Sequence, residues 1–178
     1  MKRPILYIFS GLPGSGKSTL AQRLAAETGA VYLRIDTIEQ GVRDLCHYNV
    51  EGEGYRLAYR IAADNLQLRL NVIADSCNPI ELTRQEWHEV AIESDTECVD
   101  IEVVCSDPVE HRTRVEQRIS DVKGLVLPSW TQVTAREYHP WKSGVITIDT
   151  AHKSIDDSYN ELWQTLTDWC SQHTGSVS

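Results

Sequence analysis

The chain has 178 residues, 41% of them hydrophobic and 24% charged, with 17 Lys plus Arg against 26 Asp plus Glu for a formal net charge of −9. At this length one domain covering residues 1–178 is the expectation, with a core that needs no disulfide or structural metal. The balanced composition excludes wholesale disorder. The acidity argues against a general polyanion binder, whose affinity for a phosphate backbone rests mainly on Lys and Arg. Five cysteines (Cys46, Cys77, Cys98, Cys105 and Cys170) form no CxxC pair and read as reduced thiols. His88-Glu89 opens an HExxH-like string, but Ile92 stands where its second His belongs. No run approaches the ~18 apolar residues of a membrane helix. The short apolar run behind Lys2 and Arg3 leads into glycines without a cleavage site. A cytoplasmic monomer or homodimer with no membrane partner is expected.

In chain order, apolar β-branched runs occur at Ile5–Phe9, Val31–Ile35, Val72–Ala74, Ile101–Cys105 and Val145–Ile148. Helical spacing separates them: Leu20, Leu24 and Ala25; then Leu57, Ile61, Leu66 and Leu70; then Val109–Ile119; and finally Leu162, Leu166 and Trp169. Strands alternating with amphipathic helices predict an α/β domain, a mostly parallel sheet with helices on both faces. Gly52-Glu53-Gly54 and Lys123-Gly124 read as loops, and Ser171–Ser178 as a frayed tail.

Gly11-Leu12-Pro13-Gly14-Ser15-Gly16-Lys17-Ser18 matches GxxxxGK[ST], the Walker A P-loop, and Thr19 follows. A strand runs in and a helix (Ser18–Glu27) runs out, which is the required context. Gly11, Gly14 and Gly16 let the backbone curl so that its N–H groups, with that of Ser15, form an anion nest above a helix N-terminus. This predicts binding of ATP with Mg²⁺: Lys17 on the β- and γ-phosphates, Ser18 as a metal ligand, Thr19 near the α-phosphate. No Asn-Lys-x-Asp guanine motif is present, and large motor and AAA-type ATPases need far more chain. A small kinase fits the length.

Asp36 and Asp75 follow the second and third apolar runs. In an open parallel sheet the ligand crevice lies outside the carboxyl ends of the strands, so both share an edge with the P-loop. Asp75 reads as a Walker B carboxylate for Mg²⁺, directly or through a water. Asp36 reads as the base that takes an acceptor hydroxyl proton, with a helix N-cap as the alternative. Asp107-Pro108 and Asn78-Pro79 both carry the signature of a cap followed by proline. Arg112, Arg114 and Arg118 cluster on the predicted helix Val109–Ile119, ahead of a loop at Ser120–Pro128, within a predicted lid at about 110–128. Arg114 and Arg118 are candidates to neutralise the transferring phosphoryl group, against a solvated helix face as the plainer reading. Arg43 and Arg84 could line an acceptor pocket. Trp130, Tyr138 and Trp141 could wall the acceptor site but read as packing near the lid hinge, and Thr150, after the fifth run, would lie beside the adenine if the chain resembles small kinases there too.

Gly11–Thr19, Arg34-Ile35-Asp36-Thr37, Ile73–Pro79 with Arg84, and Cys105 through Arg118 occur in the order seen in the kinase domain of polynucleotide kinases. The chain resembles that group, which includes zeta toxins, chloramphenicol phosphotransferases and gluconate-type kinases. The resemblance covers roughly residues 4–150. It implies a three-layer fold with a five-stranded parallel sheet of order 2-3-1-4-5, ATP with Mg²⁺, and transfer to a hydroxyl. It also implies Asp36 as base, with Asp75–Pro79 in the same site. The chain departs from the group in its Trp-containing segment Pro128–Trp141 and in lacking an evident basic groove for nucleic acid. The expected activity is transfer of the ATP γ-phosphate to a hydroxyl of a small molecule. The alternatives are a polynucleotide 5′-hydroxyl kinase and a nucleotide-binding switch with slow ATPase.

Overall fold

The fold is built on alternation within the first strand. In a computed structural model that describes residues 3–173, β1 (Ile5–Ser10) is buried along its whole length. Ile5, Tyr7 and Phe9 enter one core and Leu6 and Ile8 another, because successive side chains of a strand point to opposite faces. A strand covered on both sides must lie mid-sheet. The order is β2-β3-β1-β4-β5, with β2 (Val31–Arg34), β3 (Val72–Asp75), β4 (Glu97–Val104) and β5 (Val145–Asp149). All four pairings are parallel, as the sequence predicts.

On one face α1 (Lys17–Thr28) and α7 (Ile155–His173) pack Leu20, Leu24, Leu162 and Leu166 against Phe9, Ile101 and Val103. On the other, α3 (Glu53–Gln67) and α4 (Glu81–Glu93) cover Leu6, Ile8 and Val72. The apolar face expected on the second helical segment is rotated. Of its residues only Leu66 is buried; Leu57, Ile61 and Leu70 are exposed, and α3 buries Gly54, Ala58 and Ala62 alongside Leu66. Small residues at every fourth position let the helix approach its neighbours closely. Gly52-Glu53-Gly54, expected as a loop, opens this helix.

Two boundary corrections bear on the site. The second strand stops at Arg34, and α2 (Ile35–Cys46) starts at once, so Asp36 stands in the first helical turn. Asn78 is no helix cap, since α4 starts at Glu81 with Ile80 as its cap. Asn78 is instead buried with φ 50, its side-chain amide donating to Ser10 Oγ at 3.0 Å. Asp107 does cap α5 (Pro108–Gln117), accepting from the N–H groups of Val109 and Glu110 at 2.8 Å each. A short α6 (Trp130–Thr134) follows. The expected tail is helical through His173, and its remainder lies outside the described residues.

Candidate active site

The sheet register sets the carboxyl-end carboxylates. Phe9 of β1 and Arg34 of β2 both pair with Asp75 of β3, so Asp75 emerges between the P-loop and α2. A cleft of about 840 Å³ opens above this edge, lined by the P-loop from Gly11 to Thr19, by α2, and by the lid from Arg118 to Pro128.

The nucleotide end is fixed by backbone geometry. Gly14 has φ 85, and a Cβ there would sit 2.6 Å from Val115 Cγ2 of α5, so both conformation and space require glycine. His111 Nε2 donates to the Pro13 carbonyl at 2.9 Å, pinning the lid helix to the loop. Gly16, at φ 94, ends the loop and leaves α1 with no side-chain cap and no acidic residue in its first turn. The first intrahelical bond runs from Leu20 N to Gly16 O. The N–H groups of Lys17, Ser18 and Thr19 therefore remain the open donors of a helix N-terminus, where an anion is stabilised. Ser15 Oγ is buried without a partner beside them. This cradle fits a chain of phosphates.

Lys17 Nζ lies 2.6 Å from Asp75 Oδ1, with the two side chains 11% and 1% exposed. Tyr32 donates its hydroxyl to Asp75 Oδ2, also at 2.6 Å. Burial alone would push the Asp75 carboxyl up. The Lys17 ammonium and these hydrogen bonds outweigh it and hold the group below the ordinary carboxylate range. The same burial and the Asp75 charge push the Tyr32 hydroxyl well up, so it stays a donor. Among the described residues no cluster of three or more acidic, His or Cys side chains could hold a metal by itself. Ser18 with Asp75 behind it fits Mg²⁺, which is bound by few protein groups and completes its shell with water and phosphate oxygens.

The opposite end of the cleft is made of side chains. Asp36, Glu39, Gln40 and Arg43 line the cleft from one face of α2. Asp36 is 51% exposed with Arg34 Nε 4.0 Å away. The capping position of α2 belongs to Arg34, and no side-chain cap bond forms, so Asp36 does not cap. Arg34 Nη1 bonds both oxygens of Asp121 at 2.8 Å, tying the lid loop to the start of α2. Arg43 pairs with Glu39 at 3.0 Å. Burial nevertheless leaves the Glu39 carboxyl raised, the Arg43 contact offsetting only part of it.

The lid arginines differ in kind. Arg114 is engaged: it donates to the Thr150 hydroxyl (2.7 Å) and carbonyl (2.9 Å) and pairs with Glu110 at 2.6 Å. Arg118 also lines the cleft, but its Nε is buried without a partner among the described residues. Burial lowers its pKa, the charge of Asp36 acting in the opposite direction. Arg112 faces away and pairs with Glu116.

One expected site residue lies elsewhere. Arg84 does not line the acceptor pocket. It is 5% exposed, bonds the carbonyls of Asn78 (3.1 Å), Pro79 (3.3 Å) and His139 (2.8 Å), and lies 3.9 Å from the Trp141 ring centroid. A guanidinium enclosed by carbonyls and aromatic rings is a structural tie between two loops. Trp130 likewise packs edge-on to His111 at 5.2 Å. The Thr150 hydroxyl donates to the Ser15 carbonyl at 2.8 Å while accepting from Arg114, which leaves it bracing the P-loop. Thr150 does line a second cavity of about 250 Å³, beside Leu20, Ile155 and Ser158. Tyr32, Arg34 and Arg136, which also lines the cleft, were not singled out for the site from sequence. The one available signal was the position of Tyr32 and Arg34 in the strand leading to Asp36.

This sheet order and phosphate cradle define a P-loop kinase fold. Residues 6–135 match the family AAA_33, described as an AAA domain, and the chain belongs to that family. No curated protein matches the chain in sequence. Among solved structures, a gluconokinase from Sinorhizobium meliloti 1021 is similar with TM-score 0.67 at 16% identity, covering 97% of each chain. Kti12 of Chaetomium thermophilum, in complex with ADP-AlF3, has TM-score 0.67 at 22% identity, covering 92% of this chain and 97% of that one. The Mycobacterium tuberculosis APS kinase CysC, in complex with AMPPNP and APS, has TM-score 0.61 at 17% identity, covering 94% and 99%. At such identities the likeness establishes the fold, and function has to be argued from the site. Among the described residues no helix is long and apolar enough to cross a membrane.

Proposed function

We propose that the chain is an ATP- and Mg²⁺-dependent phosphotransferase that moves the γ-phosphoryl group to a hydroxyl of a small molecule. The observation that carries this is one cleft holding both an anion cradle at a helix N-terminus and a carboxylate, Asp36, that neither caps a helix nor closes an ion pair shorter than 4.0 Å. Asp36 accepts the acceptor's proton as the hydroxyl oxygen bonds to the γ-phosphorus and the bond to the β–γ bridging oxygen breaks. Lys17 turns from Asp75 to the phosphate oxygens, and Arg118, with its Nε unpartnered, approaches them from the lid. Ser18, with Asp75 behind it, would hold Mg²⁺, whose charge would neutralise the phosphates when it is bound. Arg114 holds Thr150, which lines the cavity beside α1 where the base would lie.

The kinase names of the structural neighbours are in keeping with this reading. The test is incubation with γ-labelled ATP, Mg²⁺ and pools of hydroxyl compounds, a 5′-hydroxyl oligonucleotide among them. Label in phosphate esters of small molecules is expected. Label on the oligonucleotide would move the acceptor to nucleic acid. Label confined to inorganic phosphate would make the chain a switch with slow ATPase.

A further inference from the structure

The cleft of this acidic chain is basic. Six cations line it, Lys17, Arg34, Arg43, Arg114, Arg118 and Arg136, against three carboxylates, Asp36, Glu39 and Asp121. The difference, 6 − 3 = +3, stands against −9 for the whole chain. Four of the cations already face an anion: Lys17 pairs with Asp75, Arg34 with Asp121, Arg43 with Glu39 and Arg114 with Glu110. Arg118 and Arg136 form no ion pair among the described residues. Arg118 stands within the field of Asp36, Arg34 and Asp121, on the side of the phosphoryl transfer. Arg136 follows α6 and lines the same cleft as Glu39 and Arg43. It is exposed, and the phosphoryl role given to Arg118 leaves Arg136 without one.

We propose that the acceptor carries, besides its reacting hydroxyl, an anionic group of its own, a carboxylate or a phosphate monoester, and that Arg136 with Arg43 binds it. Glu39 pairs with Arg43 at 3.0 Å and packs against Gly54 of α3, where a Cβ would run into its side chain. One carboxylate and two guanidiniums lining this part of the cleft leave one positive charge to be matched by ligand, and a planar guanidinium suits a carboxylate or phosphate oxygen pair. Glu39 also repels an anion that approaches without engaging both arginines, so it sets register. The acceptor then lies with its anion at Arg136 and its hydroxyl at Asp36, along the cleft face of α2.

The inference rests on the phosphotransferase reading, and its test can fail separately. The protein saturated with AMPPNP and Mg²⁺ is titrated calorimetrically with matched sets: glycerol, glycerate and glycerol 1-phosphate; glucose, glucuronate and glucose 6-phosphate. At least one anionic member should bind about tenfold or more tighter than its neutral parent. Whether carboxylate or phosphate gains more tells the two apart. Arg136→Ala should erase the gain and Arg136→Lys should retain part of it, with AMPPNP affinity unchanged in both. Equal binding across each set, no binding by any anionic member, or a gain that survives Arg136→Ala would overturn the inference. Binding of anions without phosphate transfer would leave it standing and sink the kinase reading. Transfer to neutral alcohols alone would do the reverse.

Discussion

The two ends of the cleft are built differently. At the nucleotide end the work falls to main chain and to nearly inaccessible side chains: glycines with positive φ, the open N–H groups of α1, and a Lys17–Asp75 pair only 11% and 1% exposed. At the acceptor end it falls to side chains on α2, the lid loop and the segment after α6, with Asp36 half exposed and Arg136 exposed. A phosphate chain is the same in every relative, so backbone donors in one fixed loop suffice. An acceptor differs from enzyme to enzyme, and exposed side chains from separate segments can change without disturbing the core.

Lys17→Ala sharpens the contrast most. Transfer should vanish. Stability should also fall by about 3–5 kcal/mol, because Asp75 would be left as a buried charge without its cation. Denaturant titration of Lys17→Ala with Asp75→Asn should regain much of that loss and no activity. If Lys17→Ala is as stable as the parent, the nucleotide end is less preorganised than its geometry implies.

The next largest effect separates the lid arginines. Arg118→Ala should lower turnover by about 10²-fold or more with little change in melting temperature, since its Nε loses no partner. Arg114→Ala should destabilise by about 1–3 kcal/mol and weaken nucleotide binding, because it releases Thr150 and Glu110. Equal effects on turnover and stability in both variants would erase the distinction.

The smallest effect lies outside the cleft and serves as a control. His88 Nε2 on α4 meets Asp100 Oδ2 on β4 at 2.7 Å, and that hydrogen bond raises the His88 pKa against the opposing effect of burial. A raised native pKa stabilises fully below the unfolded value of about 6.5 and is lost as pH climbs through the native one. Unfolding free energy should thus decline as pH rises above about 6.5 in the parent, and less so in His88→Gln. With His88 40% exposed, the effect should stay below about 1 kcal/mol. Nucleotide affinity should not follow it.

The same contrast governed what the sequence revealed. The P-loop and the Asp107 cap were legible because each depends on contiguous residues and short-range geometry, while the strand order came through the resemblance of those motifs to a known group of kinases. Asn78-Pro79 carried the same local signature as Asp107-Pro108, yet Asn78 is taken up by Ser10 and Arg84, and Arg84 is held by His139 and Trp141 from a distant loop. No local pattern encodes that pairing. Tyr32 reads as one more apolar strand residue until the sheet register brings β2 alongside Asp75. Arg136 and the Arg34–Asp121 tie depend on how the lid folds back over α2, which periodicity does not report.

The most direct test of the central claim is Asp36→Asn, assayed for nucleotide affinity and for label transfer from γ-labelled ATP to hydroxyl pools. Nucleotide affinity within about twofold of the parent, with transfer reduced by about 10²-fold or more, is expected of a base that touches only the acceptor. Undiminished transfer would contradict the assignment of Asp36 and, with it, the division of the cleft into two ends.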